Sequence, residues 1–331
     1  MQPSPLTGPA LAVELHGQHL AFRSPAAPLR ERFEAVYGHL PRPAGTAVGI
    51  AIDWRLHPAA TAPAPPPEMA PLAEDELVSY YGRADRVAIR MPKYGLVEVD
   101  LSTNRLTGQV TQRCLDVYGA FEDVMMISLA PLYRRRGWFP LHAFAALAPD
   151  GRAALITGEM GSGKTTSGLS LLDAGWKLLS NDSPLLTLQK GRVAVLAYPG
   201  RLSAFDDSLA RFENLKRFIP PQTEAAASPL EKRVFRAEAA FDDPWAVSGL
   251  AGGVFFPQIV PGLRQSELVA IPPREAVLRL MPQAIEGWDK TAIAQTLQVL
   301  TKLVEQAPAY VLNLSPQVEQ LPPLIAGGME R

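Results

Sequence analysis

Apolar and polar positions change their period several times along the chain, and each change marks an element. In LRERFEAVYGHL, Leu29, Phe33, Val36, Tyr37 and Leu40 recur at helical spacing between charges, predicting a helix over 29–40. TAVGIAIDW (46–54), rich in β-branched residues, predicts a short strand. Residues 58–71 then hold Pro58, Pro63, Pro65, Pro66, Pro67 and Pro71 with alanines between them, which predicts an exposed loop or linker in extended polyproline geometry. In RVAIRMPKYGLVEVDLSTNRLTGQV (86–110), Val97, Val99 and Leu101 alternate with Glu98 and Asp100. That is the period of a strand with one wet face, and Gly95 and the Asn104 region supply turns for a small antiparallel meander. The N-terminal third therefore reads as a mixed, mainly β module.

From about residue 112 the pattern differs. DVYGAFEDVMMISLAPLYRRR predicts a helix ending near Pro131 or at the basic run 134–136. Strand-like segments follow at 153–157, 176–182, 183–188, 192–198, 254–260 and 309–315. Helices are expected at 163–174, 274–285 and 289–306, the last with Ile293, Leu297, Leu300 and Val304 along one face. Strands alternating with helices predict an α/β domain with a largely parallel sheet. The expected division is 1–115 for the smaller, mainly β N-terminal domain and 116–331 for the α/β domain.

Composition bounds what such a chain can do. Its 331 residues are 47% hydrophobic and 20% charged, enough for a large core and against a disordered or fibrous chain. Lys and Arg total 32 against 33 Asp and Glu, so no chain-wide positive field favours nucleic acid or an acidic membrane. The lone Cys114 cannot form an internal disulfide or a Cys-rich zinc site. No apolar run reaches the ~18 residues of a membrane span, and the N-terminus lacks a basic leader pattern. The expectation is a soluble, cytoplasmic protein with no nucleic-acid or membrane partner.

The sharpest feature is Gly158, Glu159, Met160, Gly161, Ser162, Gly163, Lys164, Thr165, Thr166, which satisfies G-x-x-x-x-G-K-S/T at every specified position. An apolar strand runs directly into it and a helix follows, with Gly175 as a stop. Glycines let the backbone curl so that successive N–H groups converge on phosphate oxygens, and the helix N-terminus adds partial positive charge. Lys164 would reach the β- and γ-phosphates, and the Thr165 hydroxyl is placed for magnesium. This phosphate-binding loop and its flanks predict nucleoside-triphosphate binding.

The strand over 176–180 leads into Asn181-Asp182-Ser183-Pro184. A carboxylate past a strand's C-terminal end points into the ligand crevice of an open sheet, where it can hold magnesium or accept a hydroxyl proton. The alternative is a polar turn. Both readings stand on spacing alone.

The run LITGEMGSGKTTSGLSLLDAGWKLLSNDSPLL is similar to the HPr serine kinase/phosphorylase family and its shorter relatives. Those proteins carry a strand, a G-D-S-G-x-G-K-S type loop, a helix ending in glycine, a strand ending in an acidic pair, and a histidine entering the hairpin before the loop. His142 occupies that last place. The resemblance covers about 140–200 well, reaches loosely to 330, and leaves out the first 110 residues. It implies that Gly158–Thr166 hold ATP, that Thr165, Asn181 and Asp182 lie at magnesium, and that Asp182 is the base for an acceptor hydroxyl, with Lys164 and His142 beside it. Glu159 stands where the family usually has Asp, and Asn181 replaces the first acid of the pair, a poorer ligand for a hard cation. The Gly/Arg-rich signature of true HPr kinases is not found downstream.

Other signals carry two readings each. Lys232 and Arg233 read as a substrate or phosphate contact, or as a charged strand face. Arg134–Arg136 reads as a phosphate or acidic-peptide contact, or as a solvated helix end. His16 and His19 have no third metal-ligand candidate nearby. Together these features predict an ATP- and Mg2+-dependent phosphotransferase. Its acceptor would be a hydroxyl, on Ser or Thr of a small protein or peptide or on a small molecule. The N-terminal module would select the partner, and homo-oligomers are implied by the resemblance. The rival expectation, motivated by Asn181, is a nucleotide-gated binding or scaffold protein with little turnover. A GTPase is disfavoured, because the N-K-x-D guanine-reading motif is absent.

Overall fold

His16 and Gly17 take φ of 49° and 77°. This left-handed pair makes a two-residue hairpin turn. It folds β1 (Leu11–Leu15) onto β2 (Gln18–Arg23), with Leu11 opposite Phe22, a hairpin the sequence pattern did not announce. The computed structural model describes residues 10–45, 49–220, 232–284 and 286–330. Helix α1 (Ala27–Tyr37) buries Leu29, Phe33, Val36 and Tyr37 as their spacing predicts. Strand β3 (Ile50–His57) covers most of the strand expected over 46–54; residues 46–48 lie outside the described residues. Strands β4 (Ala70–Ala73), β5 (Ser79–Arg83), β6 (Arg86–Met91), β7 (Gly95–Asp100) and β8 (Arg105–Thr111) complete a sheet of order β1-β2-β3-β8-β7-β6-β5-β4. The expected meander is its β6-β7-β8 part.

The Pro-rich stretch is not a free linker. Ala62 and Met69 are buried, Arg90 Nε donates to the Pro63 carbonyl at 2.9 Å, and the Ala62 N–H donates to the Pro92 carbonyl at 2.9 Å. An extended proline segment leaves its carbonyls unpaired, and here a neighbouring arginine takes them.

The first unit continues beyond the expected 115/116 division. It runs through Arg136 and includes Glu286–Lys290. After the short α2 (Arg113–Asp116), helix α3 (Ala120–Arg135) packs Phe121 edge-on against Phe22 and Trp54, with ring centroids 6.4 and 5.5 Å apart. Pro131 lies inside α3, which ends at the basic run. That run serves the unit itself. Arg134, only 3% exposed, pairs with Glu286 at 2.9 Å, Arg135 pairs with Asp289 at 2.8 Å, and Arg136 Nε donates to Gln18 Oε1 at 3.0 Å. Cys114 is buried.

The second unit spans Gly137–Ile285 and Thr291–Arg331. Its strands are β9 (Phe139–Pro140), β10 (Phe144–Leu147), β11 (Arg152–Ile156), β12 (Lys177–Ser180), β13 (Leu185–Gln189), β14 (Arg192–Leu196), β15 (Leu202–Ala204), β16 (Arg233–Phe235), β17 (Ser248–Ile259), β18 (Glu267–Ile271) and β19 (Ala309–Leu314). Its helices are α4 (Lys164–Asp173), α5 (Asp206–Leu209), α6 (Ala237–Ala240), α7 (Pro273–Leu280), α8 (Lys290–Gln306) and α9 (Leu321–Met329). The main sheet has the order β12-β10-β11-β17-β14-β13-β9, with β19 on β17 and β18 on β19, while β15 and β16 form a separate ribbon.

The fold is mixed α/β, and the expectation of a largely parallel sheet is corrected. Among the described strands of this sheet, β11–β17 and β17–β19 pair in parallel and every other pairing is antiparallel. The cause is loop length. Residues 148–151 join β10 to β11, and Lys190-Gly191, at φ 51° and 77°, joins β13 to β14. Such loops close hairpins, whereas a parallel crossover needs a dozen residues or more.

Alternate residues of the central strands feed two cores. Phe144, Ala154, Ile156, Phe255 and Leu312 face one that includes Leu169 of α4 and Ile325 of α9; Ala145, Leu155 and Val254 face another with Leu280 of α7 and Leu300 of α8. The buried face of α8 is Ala292, Thr296, Val299, Leu300, Leu303 and Val304, which keeps Leu300 and Val304 of the predicted stripe and leaves Leu297 38% exposed. Thr296 is tolerated there because its hydroxyl donates to the Ala292 carbonyl at 2.8 Å. No helix of the described residues is long and apolar enough to cross a membrane.

Candidate functional site

Strand direction gathers the candidate residues. Both β11 and β12 run antiparallel to β10, while β17 and β19 run parallel to β11. The C-terminal ends of β11, β12, β17 and β19 and the start of β10 therefore share one sheet edge. The loop 158–163 leaves β11 there, Asp182 follows β12, and His142 precedes β10.

The loop is shaped by its glycines and closed by Lys164. Gly163 has φ 103°, and a Cβ on it would meet Leu314 Cδ1 at 2.4 Å, so a side chain is excluded by backbone and neighbour together. Helix α4 begins immediately after it with no side-chain cap. Gly163 as the residue before the helix has no side chain to cap the first-turn N–H groups of Lys164, Thr165 and Thr166, which is the electrostatic setting an anion fits. Lys164 Nζ donates back to the carbonyls of Gly158 (2.5 Å) and Glu159 (3.0 Å). Burial is the main cause holding its ammonium below the usual lysine range; Asp182 and Glu159 pull it up and Lys232 pushes it down. Ser162 Oγ is buried without a hydrogen-bond partner, and Met160 is 90% exposed at the loop tip. At the back of α4, a Cβ on Gly168 would stand 2.5 Å from the Phe144 ring, so the helix sits directly on β10.

The Asp182 corner is fixed by backbone bonds. Ser180 Oγ accepts from the N–H groups of Asp182 (3.4 Å) and Ser183 (3.1 Å), which turns the chain at the end of β12. On either side of His142, the N–H of Leu141 donates to the Pro184 carbonyl and that of Ala143 to the Asp182 carbonyl, both at 3.0 Å. His142 Nδ1 consequently lies 3.3 Å from Asp182 Oδ1, with both side chains about half exposed (46% and 49%). Thr157, at the loop entrance, donates its hydroxyl to the His142 carbonyl at 2.8 Å. An accessible carboxylate beside an imidazole can accept a proton from an approaching hydroxyl.

The remaining sequence candidates separate. Asn181 Nδ2 donates to the Arg201 carbonyl at 3.1 Å, tying the corner to the residue before β15. Arg233 grips Asp206 in a two-pronged pair at 2.7 and 2.8 Å, whereas Lys232 Nζ lies over the Phe205 ring at 5.5 Å from its centroid. Sequence reasoning missed Phe205, Asp206 and Ser208, whose hydroxyl is 3.0 Å from that of Thr166. The only signal for them was the F-D-D-S run after a short apolar stretch, an ordinary helix start.

Two side chains at this end of the sheet carry oxygen atoms of the kind a hard cation takes, the Thr165 hydroxyl at the head of α4 and the half-exposed carboxylate of Asp182, and no group of three or more His, Cys, Asp or Glu residues suited to a metal occurs among the described residues. Magnesium in phosphoryl-transfer sites commonly uses one or two protein oxygens and completes its shell with water and phosphate.

No protein-family model matches the chain, and no curated protein matches it. Among solved structures, it is similar to the Hpr(Ser) kinase/phosphatase from Coxiella burnetii at 13% identity, covering 57% of this chain and 94% of that one with a TM-score of 0.31. A likeness at that level carries no argument about fold or activity.

Proposed function

We propose that the second unit is an ATP- and Mg2+-dependent phosphotransferase with a hydroxyl acceptor, on Ser or Thr of a small protein or peptide or on a small molecule. The observation that carries this reading is the shared sheet edge, which sets Asp182, with His142 at 3.3 Å, beside the glycine loop and Lys164. The loop amides and Lys164 bind the β- and γ-phosphates, while Thr165 and Asp182 hold magnesium. That ion, when bound, neutralises phosphate charge. The bond from the γ-phosphorus to its bridging oxygen breaks with its electron pair leaving on the diphosphate, the acceptor oxygen bonds the phosphorus, and the acceptor proton passes to Asp182. His142 orients the Asp182 carboxylate.

The test is transfer of label from γ-labelled ATP with magnesium to a species in a native extract, run beside Lys164→Ala and Asp182→Asn. Lys164→Ala is expected to lose both nucleotide binding and transfer. Asp182→Asn is expected to keep nucleotide binding and lose about 10²–10⁴-fold in transfer rate. Full transfer by Asp182→Asn would refute the assignment of the base. A second reading has its own observation. The Asn181 amide is bonded to the Arg201 carbonyl, leaving Asp182 the corner's one carboxylate. That arrangement suits a nucleotide-gated binding protein with slow turnover, which predicts tight ATP binding without label transfer.

A further inference from the structure

The β15–β16 ribbon joins residues that touch the Asp182 corner and the head of α4. Its antiparallel register pairs Ala204 with Arg233 and Ser203 with Val234. The next step of that register sets Lys232 beside Phe205, and the Lys232 ammonium does lie over the Phe205 ring. Three contacts fix the ribbon around the site. Arg233 clamps Asp206 at the head of α5, the Ser208 hydroxyl meets that of Thr166 in the first turn of α4, and Asn181 holds the Arg201 carbonyl at the ribbon's start. Lys232 is half-buried, with its ammonium over the Phe205 ring and its charge felt by Lys164. The positive charge of Lys232 disfavours the Lys164 ammonium, and a polyanion lying between two such cations relieves their repulsion. A single loop lysine serves ground-state binding; a second cation serves charge that develops on transfer.

Resting on the phosphotransferase reading above, we propose that Lys232 is a catalytic residue contacting the oxygens of the transferring phosphoryl group, and that Arg233 is a positioning residue acting through Asp206. The same geometry gives Asn181 a purpose. An aspartate there would set a carboxylate against the Arg201 carbonyl, so the amide holds the ribbon to the Asp182 corner.

The test compares affinities for ADP alone and for ADP with fluoroaluminate, a mimic of the phosphoryl group in flight, both with magnesium. Lys232→Met is expected to bind ADP within about twofold of the unaltered protein and to lose roughly 100-fold in affinity for the fluoroaluminate complex. Lys232→Arg should restore most of it. Arg233→Gln should lose part of the fluoroaluminate affinity with ADP unchanged, and Arg233→Lys should recover some of that loss, which a merely structural role would not produce. Undiminished fluoroaluminate affinity in Lys232→Met overturns the proposal. Failure of the unaltered protein to bind ADP, or indifference of that binding to Lys164→Ala, instead overturns the nucleotide reading itself.

Discussion

At the scale of single residues, the Lys164 ammonium feels its own burial together with the charges of Asp182, Lys232 and Glu159, and its lowered pKa predicts a pH dependence. Lys164 titrates below its ordinary value of 10.5, chiefly because it is half-buried. A bound polyphosphate favours the cationic form and raises that pKa again. Under the proposed function, nucleotide binding on the alkaline side is expected to take up a proton, and affinity to fall as pH rises through the lowered Lys164 value, earlier than an ordinary lysine would dictate. Calorimetry at about pH 9 in two buffers of different ionisation enthalpy should report this uptake. Equal binding enthalpies in the two buffers would show that Lys164 does not carry the linkage. Lys164 was legible in the sequence because its whole setting is local: strand, loop and helix lie within one stretch of chain, and each residue's neighbour is its neighbour in sequence. In the sequence Lys232 and Arg233 read alike, as a substrate or phosphate contact or as a charged strand face, and only the structure separates them, since the separation depends on Phe205 and Asp206, 27 residues away.

At the scale of elements, helix α4 is held to the sheet by an absence. Gly168 lets the helix backbone approach the Phe144 ring, and a Cβ there would come within 2.5 Å of three ring atoms. Phe144 is 1% exposed, in the same core as Leu169 of α4. Gly168→Val is therefore expected to destabilise the second unit by ~1–3 kcal/mol through overpacking and to lift the head of α4 off β10. The expected signature is weaker nucleotide binding at a temperature where the fold is intact, together with a lowered denaturation midpoint. A variant as stable as the parent would mean that the helix does not rest on Phe144. Pattern reading located α4, β11 and β12 well because each is a contiguous run of one period. It mistook sheet direction because period 2 says nothing of whether the next strand returns through a two-residue turn or crosses over. The three-residue strands β15 and β16 have no period to read.

At the scale of the whole chain, sequence order and folding unit part company. The first unit ends at Arg136 yet takes Glu286–Lys290 back from far along the chain, and it does so with charge. Arg134, nearly fully buried, has its guanidinium answered by Glu286; burial works to lower its pKa, and the charge and hydrogen bond of Glu286, with the nearby Tyr80 and Asp289, leave it raised. Trp288 stacks on Tyr80 at 5.1 Å and donates its indole N–H to Glu286 Oε2 at 2.9 Å, so one carboxylate serves two donors. Nothing in the sequence could show this. An Arg-Arg-Arg run reads as a phosphate or acidic-peptide contact or as a solvated helix end unless its partners are known, and those of Arg134 and Arg135 lie 152 and 154 residues away. Removing one charge leaves Arg134 buried without an anion, which costs more than the pair contributes. Glu286→Gln is therefore expected to destabilise the first unit by about 2 kcal/mol, moderated by the partial exposure of Glu286. Hydrogen exchange resolved by peptide should quicken in strands β5 to β8 and helix α3 while the glycine loop and β11 stay as they were. Equal acceleration in both units would mean that Glu286 supports the chain as a whole rather than the unit that Arg134 belongs to.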